Sequence, residues 1–537
     1  MKLCKDALKN RKEWENAGFT LPKYDIDEMR KQTAETPEWV HLGAGNIFRA
    51  FICKKAQMLL DSGDAKTGII AVEGFDYDIV TKIYKPFDEL CAAVTLKVDG
   101  STDQDIIASV ANSLILDPET EADWAELQRI FTAPTLKMVS FTITEKGYSL
   151  LDRSGAIAAP VAQDMKEGAG KPVSYLGKVT ALLYARYKAG ELPVAMVSMD
   201  NCSHNGELLE KAITAFAKAW VENGKAEEGF LDYVTKSGKV SFPWSMIDKI
   251  TPRPDASVQK SLEDRGLEGI APIITSRNTY IAPYVNAEEA EYLVIEDKFP
   301  NGRPALDKVG IYFTDRETVN KTEKMKVGTC LNPIHTALAI YGCLLGHEHI
   351  CDETQDAQLM KLAKELAMTE GMPAVVDPGI LSPVAFATEV LEKRLPNPFM
   401  PDTPQRIVTD TSQKLPVRFG ETIKTYIARD DLNVDDLNLI PLVFAGWCRY
   451  LMGINDEGGA MELSSDPLLA ELTPVFENVK LGEACDVHAL LAPVFSNARI
   501  FGVDLYEVGI AKKAEEYFEQ LIAGPGAVRQ TLVKVLG

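Results

Sequence analysis

The stretch Glu38-Trp-Val-His-Leu-Gly-Ala-Gly-Asn-Ile-Phe-Arg-Ala-Phe51 runs an apolar strand pattern into two glycines and then into a helical pattern that continues to Leu60. Strand, tight turn and helix in that order aim backbone N–H groups at the helix N-terminus, where a pyrophosphate is held, with Gly43 making the bend and Gly45 permitting close approach. The third glycine of a GxGxxG fingerprint is absent, because Phe48 stands there. The motif taken alone is therefore weak, and any strand-to-helix turn would read similarly.

Working outward, Gly68-Ile-Ile-Ala-Val-Glu-Gly-Phe-Asp76 is a short buried-type strand ending in acid. A carboxylate from Glu73 or Asp76 could accept from a ribose diol and repel a 2′-phosphate, favouring NAD over NADP; both lie further from the glycines than usual, so a solvated loop carboxylate is the competing reading. More strands alternate with helical stretches up to Val194–Asp200, the pattern of a mainly parallel, doubly wound α/β sheet. From about Thr318 the texture becomes amphipathic helices separated by Pro-rich turns. The expected organisation is an α/β domain over residues 1–315 followed by a mostly α-helical domain over 316–537.

The 537 residues carry 57 basic against 78 acidic side chains, a net charge of −21. Such a surface argues against nucleic acid as a partner, since counterion release there needs a basic face. No apolar run reaches the roughly 20 residues that span a bilayer, so no membrane partner is expected. The N-terminal segment lacks the apolar core of a secretory signal, and nine scattered cysteines without a CxxC pair suit reduced thiols. The expected location is cytoplasmic.

The richest window for chemistry is Glu323-Lys-Met-Lys-Val-Gly-Thr-Cys-Leu-Asn-Pro-Ile-His-Thr336, which places an amine, an amide and an imidazole at a helix opening. Asn332 and His335, three apart, share one face. Lys326 and His335, nine apart, fall on opposite sides of a regular helix at about 100° per residue. A break or π-type irregularity between Val327 and Pro333 would reconcile them, and Gly328 and Pro333 make one plausible. In a straight helix Lys324 would be the residue that shares the face of His335. For metals, His347-Glu-His-Ile-Cys351 is the nearest cluster, but it follows a helix-ending glycine and reads as capping, so no metal is expected.

The chain resembles the mannitol dehydrogenase family, the polyol-specific long-chain dehydrogenases, and within it the fructuronate reductases. The ordered segments that carry the resemblance are His41–Arg49, Thr142–Tyr148, Ser198–Gly206, Phe242–Pro252, Lys326–His335, and Asn397-Pro with Asp402–Arg406 and Asp410–Lys414. The resemblance implies a zinc-independent dehydrogenase in which a Rossmann-type domain holds NAD and a helical domain closes the substrate cleft. It implies interconversion of D-mannonate and D-fructuronate, with tagaturonate or mannitol as alternative substrates, and a monomer. Lys326 would be the acid/base, with Glu323 beside it; Asn201 and Asn332 would polarise the reacting oxygen; His335, Arg406, Lys414 and Asp248 would orient substrate. The implied cofactor set is Gly43, Gly45, Asn46, Phe48, Arg49, Glu73, Asp76 and Glu145. Two departures stand out: Lys326 to Asn332 is one residue longer than in the mannitol enzymes, and Lys249 replaces the family's usual arginine.

Chemically, oxidising a secondary alcohol needs a base at the hydroxyl and donors for the developing alkoxide, roles that suit a neutral lysine and a pair of amides. An acid substrate also demands a cation; Arg406, able to grip a carboxylate through two bonds, is the expected contact, with an ion pair to Asp402 or Asp410 as its alternative. Lys414, Arg49 and Lys146 are further cations. Glu145 and Tyr148 either line a nicotinamide pocket or shape a turn at Gly147. A non-catalytic nucleotide sensor is the reading from another class.

Overall fold

Of five strands in the first part of the chain four are buried along their whole length and one, the third, in part, which is the signature of a parallel sheet covered by helices on either side. They are β1 (Trp39–Leu42), β2 (Ile69–Glu73), β3 (Val110–Ile115), β4 (Met138–Phe141) and β5 (Val194–Ser198), with the two-residue β6 (Val240–Ser241) at the edge. All pairings are parallel. The spatial order is β3-β2-β1-β4-β5-β6. That order reverses between β1 and β4, and in such sheets the crevice at the strand C-termini of the reversal point is where ligands bind.

The period-2 alternation of side chains divides the core. Val40, Leu42, Val139, Phe141 and Met196 face a cluster built with the helices α2 (Glu121–Phe131), α3 (Tyr175–Lys188) and α4 (Asn205–Glu222). Trp39, Met138, Ala195 and Val197 face the opposite cluster, with the π stretch Phe48–Ile52 and α1 (Cys53–Ser62). Each buried Val, Leu, Ile or Phe contributes roughly 1.5–3 kcal/mol against solvent exposure, so the sheet is the dominant stabilising element of this part. A second sheet joins Phe19–Thr20, Thr102–Ile107, Cys91–Leu96 and Tyr284–Glu288.

The computed structural model describes residues 1–537. It divides into a first unit, Met1–Leu96 with Ser101–Asn320, and a second, Lys321–Gly537 with Lys97–Gly100. The chain passes from one to the other within α5 (Arg316–Met325). The second unit is helical. At its centre α6 (Asn332–Leu345) and α7 (Leu439–Tyr450) are apolar almost all round, as befits helices that neighbours enclose. They approach closely because Gly446 has no side chain: a Cβ there would lie 2.6 Å from the Tyr341 ring. The Tyr341 hydroxyl donates to the Leu442 carbonyl at 2.7 Å, which satisfies the one polar atom that this packing buries.

One acid in this unit is not compensated. Glu353, on the short helix Ile350–Glu353, is 0% exposed and neither carboxyl oxygen has a hydrogen-bond partner. Burial, reinforced by Asp352 and Asp356, raises its pKa well above the carboxylate range. The folded protein thus keeps a proton that the unfolded chain releases above its ordinary value of about 4.3, and stability falls with rising pH until the folded value is passed. Replacing Glu353 with Gln is expected to remove this slope. Relative to the variant, the wild type should lose up to about 1.4 kcal/mol per pH unit above about pH 5 in denaturant titrations; parallel pH profiles would refute the assignment.

Candidate active site

The first unit builds a cradle at the reversal point of its sheet. Gly43 follows β1 at φ +99°, and a Cβ there would lie 2.1 Å from the Thr142 carbonyl oxygen. Only glycine allows this approach of the two strand ends. Thr142 N–H donates to Leu42 O at 2.9 Å and its hydroxyl to Gly43 O at 3.0 Å, so the two ends are stitched together. Gly45 differs in kind: a Cβ added to it would meet nothing within 4 Å, so that side of the turn faces open space.

Two carboxylates hold this cradle from behind. Glu73 accepts from the backbone N–H of Ala44 at 3.0 Å, Phe75 at 2.9 Å and Asp76 at 3.2 Å. Asp200 accepts from Ile143 N–H at 2.8 Å, Thr144 N–H at 2.9 Å and the Tyr148 hydroxyl at 2.6 Å. Burial raises the pKa of each, and the donated bonds oppose that rise. The second clamp retains Thr144 at φ +64°, a conformation costly for a β-branched residue and typical of functional turns.

Several expected cofactor contacts are corrected by this geometry. The Glu73 carboxylate is committed to three backbone donors and is not the ribose acceptor. Asp76 is turned inward as well: it is buried, its Oδ2 takes the Thr275 hydroxyl at 2.7 Å, and its Oδ1 is sealed from solvent with no partner. Phe48 is fully buried and stacks on His41 at 4.0 Å, beneath the turn. Arg49 points inward as well, donating to Ala282 O at 2.6 Å and to Asn46 Oδ1 at 2.8 Å, so it positions Asn46 and is no free cation. Tyr148 faces the core between Asp200 and Ser198, whereas Glu145 and Lys146 lie exposed on the turn. The buried His41 imidazole bonds to the Ser140 and Thr142 hydroxyls, and burial lowers its pKa to about 3, so it is neutral and structural.

Asn201 is exposed just beyond β5, on a loop that Asn205 anchors through Asp200 O and the Ser245 hydroxyl, each at 2.9 Å. His204 in the same loop stacks on Trp244. Asp248 is buried at the end of the strand Ser245–Asp248. Lys249 reaches Glu288 O at 2.6 Å and Glu291 at 2.9 Å, a structural ion pair.

In the second unit the helix that arrives through Glu323 does not continue straight. Lys326–Cys330 form a π stretch, Leu331 leaves helical geometry at φ −131°, and α6 restarts at Asn332. This is the irregularity that the nine-residue spacing calls for. Lys326 is 3% exposed at the start of the π stretch, whereas Lys324 is exposed to solvent. Glu323 is half-buried, three residues before Lys326.

Around His335 the fold gathers charge. Its Nε2 lies 3.8 Å from Asp402, whose other oxygen pairs with Arg406, so Arg406 has the partner named as its alternative. Lys414 donates to Ile407 O at 2.9 Å and to Thr409 O. Burial first, then Arg418, lowers its pKa to about 8. Burial holds His335 below its usual value; Asp402 opposes this, and Arg418, Arg394 and Arg406 add to it. Arg394 and Arg418 were not singled out from sequence, although Arg418 lies four residues beyond Lys414. Arg418 is half-buried and donates through Nη1 to the Thr336 hydroxyl and, at 3.4 Å, to Asn332 O, tying itself to the first turn of α6.

The two glycines separate folding from binding. Gly43→Ala should lower Tm sharply or prevent folding. Gly45→Ala should leave Tm within about 2 °C, because its methyl meets no protein atom, yet weaken NADH binding at least about tenfold in fluorescence titration. An unchanged NADH affinity in Gly45→Ala would remove this turn from the binding site.

Against known proteins, residues 37–308 match the mannitol dehydrogenase Rossmann domain and residues 318–522 the mannitol dehydrogenase C-terminal domain. The chain is 51% identical to D-mannonate oxidoreductase of Thermotoga maritima, with 100% of this chain and 99% of that one covered. It is 30% identical to D-mannonate oxidoreductase of Escherichia coli over 89% of this chain and 90% of that one. Among solved structures, Pseudomonas fluorescens mannitol 2-dehydrogenase in ternary complex with NAD and D-mannitol is 26% identical, with TM-score 0.68 and coverage of 100% and 99%. The parallel sheet, the helical unit and both matched domains agree, and the chain belongs to the mannitol dehydrogenase family.

Proposed function

We propose that this protein is an NAD-dependent oxidoreductase that interconverts D-mannonate and D-fructuronate, with Lys326 as acid/base and without a metal. The observation that carries the reading is the gathering of Arg394, Arg406 and Arg418 about His335, with Lys414 beside Arg406 and Arg418, in a chain of net charge −21. Focusing positive charge against the protein's own field suits an anionic substrate, whereas an uncharged polyol needs none of it. The full-length identity to D-mannonate oxidoreductase of Thermotoga maritima supports the same substrate pair.

The residues present fit a dinucleotide. The open side of Gly45 admits close approach of a pyrophosphate at the reversal point of the sheet. Held at this turn, the dinucleotide would supply the hydride chemistry, as acceptor for the alcohol carbon and donor for the carbonyl carbon. The chain's own part is protonic and electrostatic. In the reducing direction the Lys326 ammonium donates a proton to the carbonyl oxygen as the alkoxide forms; in oxidation its neutral amine removes the hydroxyl proton. The amide proposed to donate to that oxygen is that of Asn332, which stabilises the developing charge without titrating. Glu323 is proposed to pass the proton between Lys326 and solvent. His335, neutral through burial, orients a substrate hydroxyl as a hydrogen-bond partner.

NADH consumption should be measured with D-fructuronate, D-tagaturonate and D-fructose, with and without a chelator. Turnover is expected with fructuronate, unaffected by the chelator, and Lys326→Ala should lose roughly 10²–10⁴-fold while still binding NADH. Activity confined to tagaturonate or fructose would move the substrate, and none on any of the three would favour a sensor.

The pH profile supplies a second test. The Lys414 ammonium, charged below about 8, contributes attraction for an acid substrate that is lost as pH rises through that value. KM for fructuronate should therefore stay level in neutral solution and rise above about pH 8. Lys414→Met should flatten this rise, and a rise that persists in the variant would exclude Lys414 as its source.

A further inference from the structure

The cations about His335, with Lys414 beside Arg406 and Arg418, are not equivalent, and the nearly sealed Arg394 is already engaged by other residues. Arg406 is neutralised by Asp402, and its side chain is 62% exposed. Lys414 spends hydrogen bonds on two backbone carbonyls, with Asp410 and Asp466 within electrostatic reach. Arg418 forms no ion pair with any carboxylate. Its hydrogen bonds leave from Nη1 alone, to the Thr336 hydroxyl and the Asn332 carbonyl. The edge formed by Nε and Nη2 has no protein acceptor, nor is either atom among the sealed, unpartnered ones. That edge is the one through which arginine grips a carboxylate by two parallel bonds. Burial that disfavours its charge makes an unpaired guanidinium costly unless a ligand supplies the missing anion.

The anchored end of Arg418 fixes where that edge lies. Nη1 is bound to the first turn of α6, the turn that carries the Asn332 amide and His335. In an open-chain hexuronate the carbonyl and the carboxylate are joined by a short run of hydroxylated carbons, so a carboxylate receptor is required within one side chain's reach of the group that polarises the carbonyl oxygen. Arg418 meets this requirement without breaking an existing ion pair, and Arg406 does not. We infer that Arg418, and not Arg406, receives the carboxylate of the sugar-acid substrate and thereby selects hexuronates over uncharged polyols. The inference rests on the activity proposed above.

The test compares kcat/KM for D-fructuronate and for D-fructose in the wild type, Arg418→Gln, Arg418→Lys and Thr336→Val, together with the calorimetric Kd of D-mannonate on each protein saturated with NADH. Loss of a buried bidentate charge pair should lower kcat/KM for fructuronate in Arg418→Gln by about 100-fold, mainly through KM, and weaken D-mannonate binding by a similar factor. The fructose value should change less than about threefold. Arg418→Lys, which keeps the charge but not the fork, should recover part of the loss. Thr336→Val loosens the anchor that fixes this edge and should lower fructuronate turnover more than fructose turnover, by less than Arg418→Gln does. Equal losses for both substrates in Arg418→Gln would mean that Arg418 merely holds the start of α6, and unchanged D-mannonate affinity would overturn the assignment even where fructose turns over too slowly to compare. Failure of the wild type to turn over fructuronate would instead overturn the proposed activity.

Discussion

Much of the first unit hangs on the contact between the Gly43 backbone and the Thr142 carbonyl, a distance that no side chain could share. It brings the ends of the two central strands together where the strand order reverses, and the crevice of a doubly wound sheet opens there. Holding two chain ends so close leaves several N–H groups pointing away from any strand partner. Glu73 and Asp200 collect them, each from a neighbouring strand. The acids at those strand ends therefore act chiefly as internal acceptors, leaving the outward side of the turn clear.

The second unit meets a related demand by another means. A regular helix would separate Lys326 from His335, and the structure inserts a π stretch and a non-helical residue between them. Further π stretches, Val390–Arg394 and Pro416–Gly420, carry Arg394 and Arg418. Each such stretch rotates the residues that follow it relative to those before. Helical interruptions of this kind are frequent at functional sites because they re-aim side chains without changing the fold. The result is a local surplus of positive charge set beside a neutral imidazole, within a protein whose overall charge has the opposite sign.

How much was legible beforehand follows from the range of each signal. The Gly43 turn, the buried strands and the shift to helical texture after about Thr318 are patterns a few residues long, and local periodicity reports them well. The spacing of Lys326 and His335 called for a break because geometry over nine residues is still local. The segment that holds Arg49, Phe48 and Glu73 is the one expected to face a cofactor. Which way each turns depends on Ala282, on His41 and on the N–H groups of Ala44, Phe75 and Asp76, partners the local pattern does not display. Arg394 and Arg418 escaped notice for the converse reason: nothing near them in sequence marks them, and their importance comes from the helix against which they lie.

What the sequence by itself determined, then, is the order of elements, the glycine that the turn requires, the interruption before Asn332 and the family to which these segments correspond. The first three are set by backbone conformation and side-chain periodicity, which act between near neighbours in the chain, and the family by the resemblance of its ordered segments. Only the tertiary structure decided which charges are already paired. Arg406 is neutralised by Asp402 while Arg418, four residues after Lys414, meets only a hydroxyl and a carbonyl of α6. Pairing and desolvation depend on distances between segments far apart in sequence, and electrostatic energy is governed by those distances and by burial.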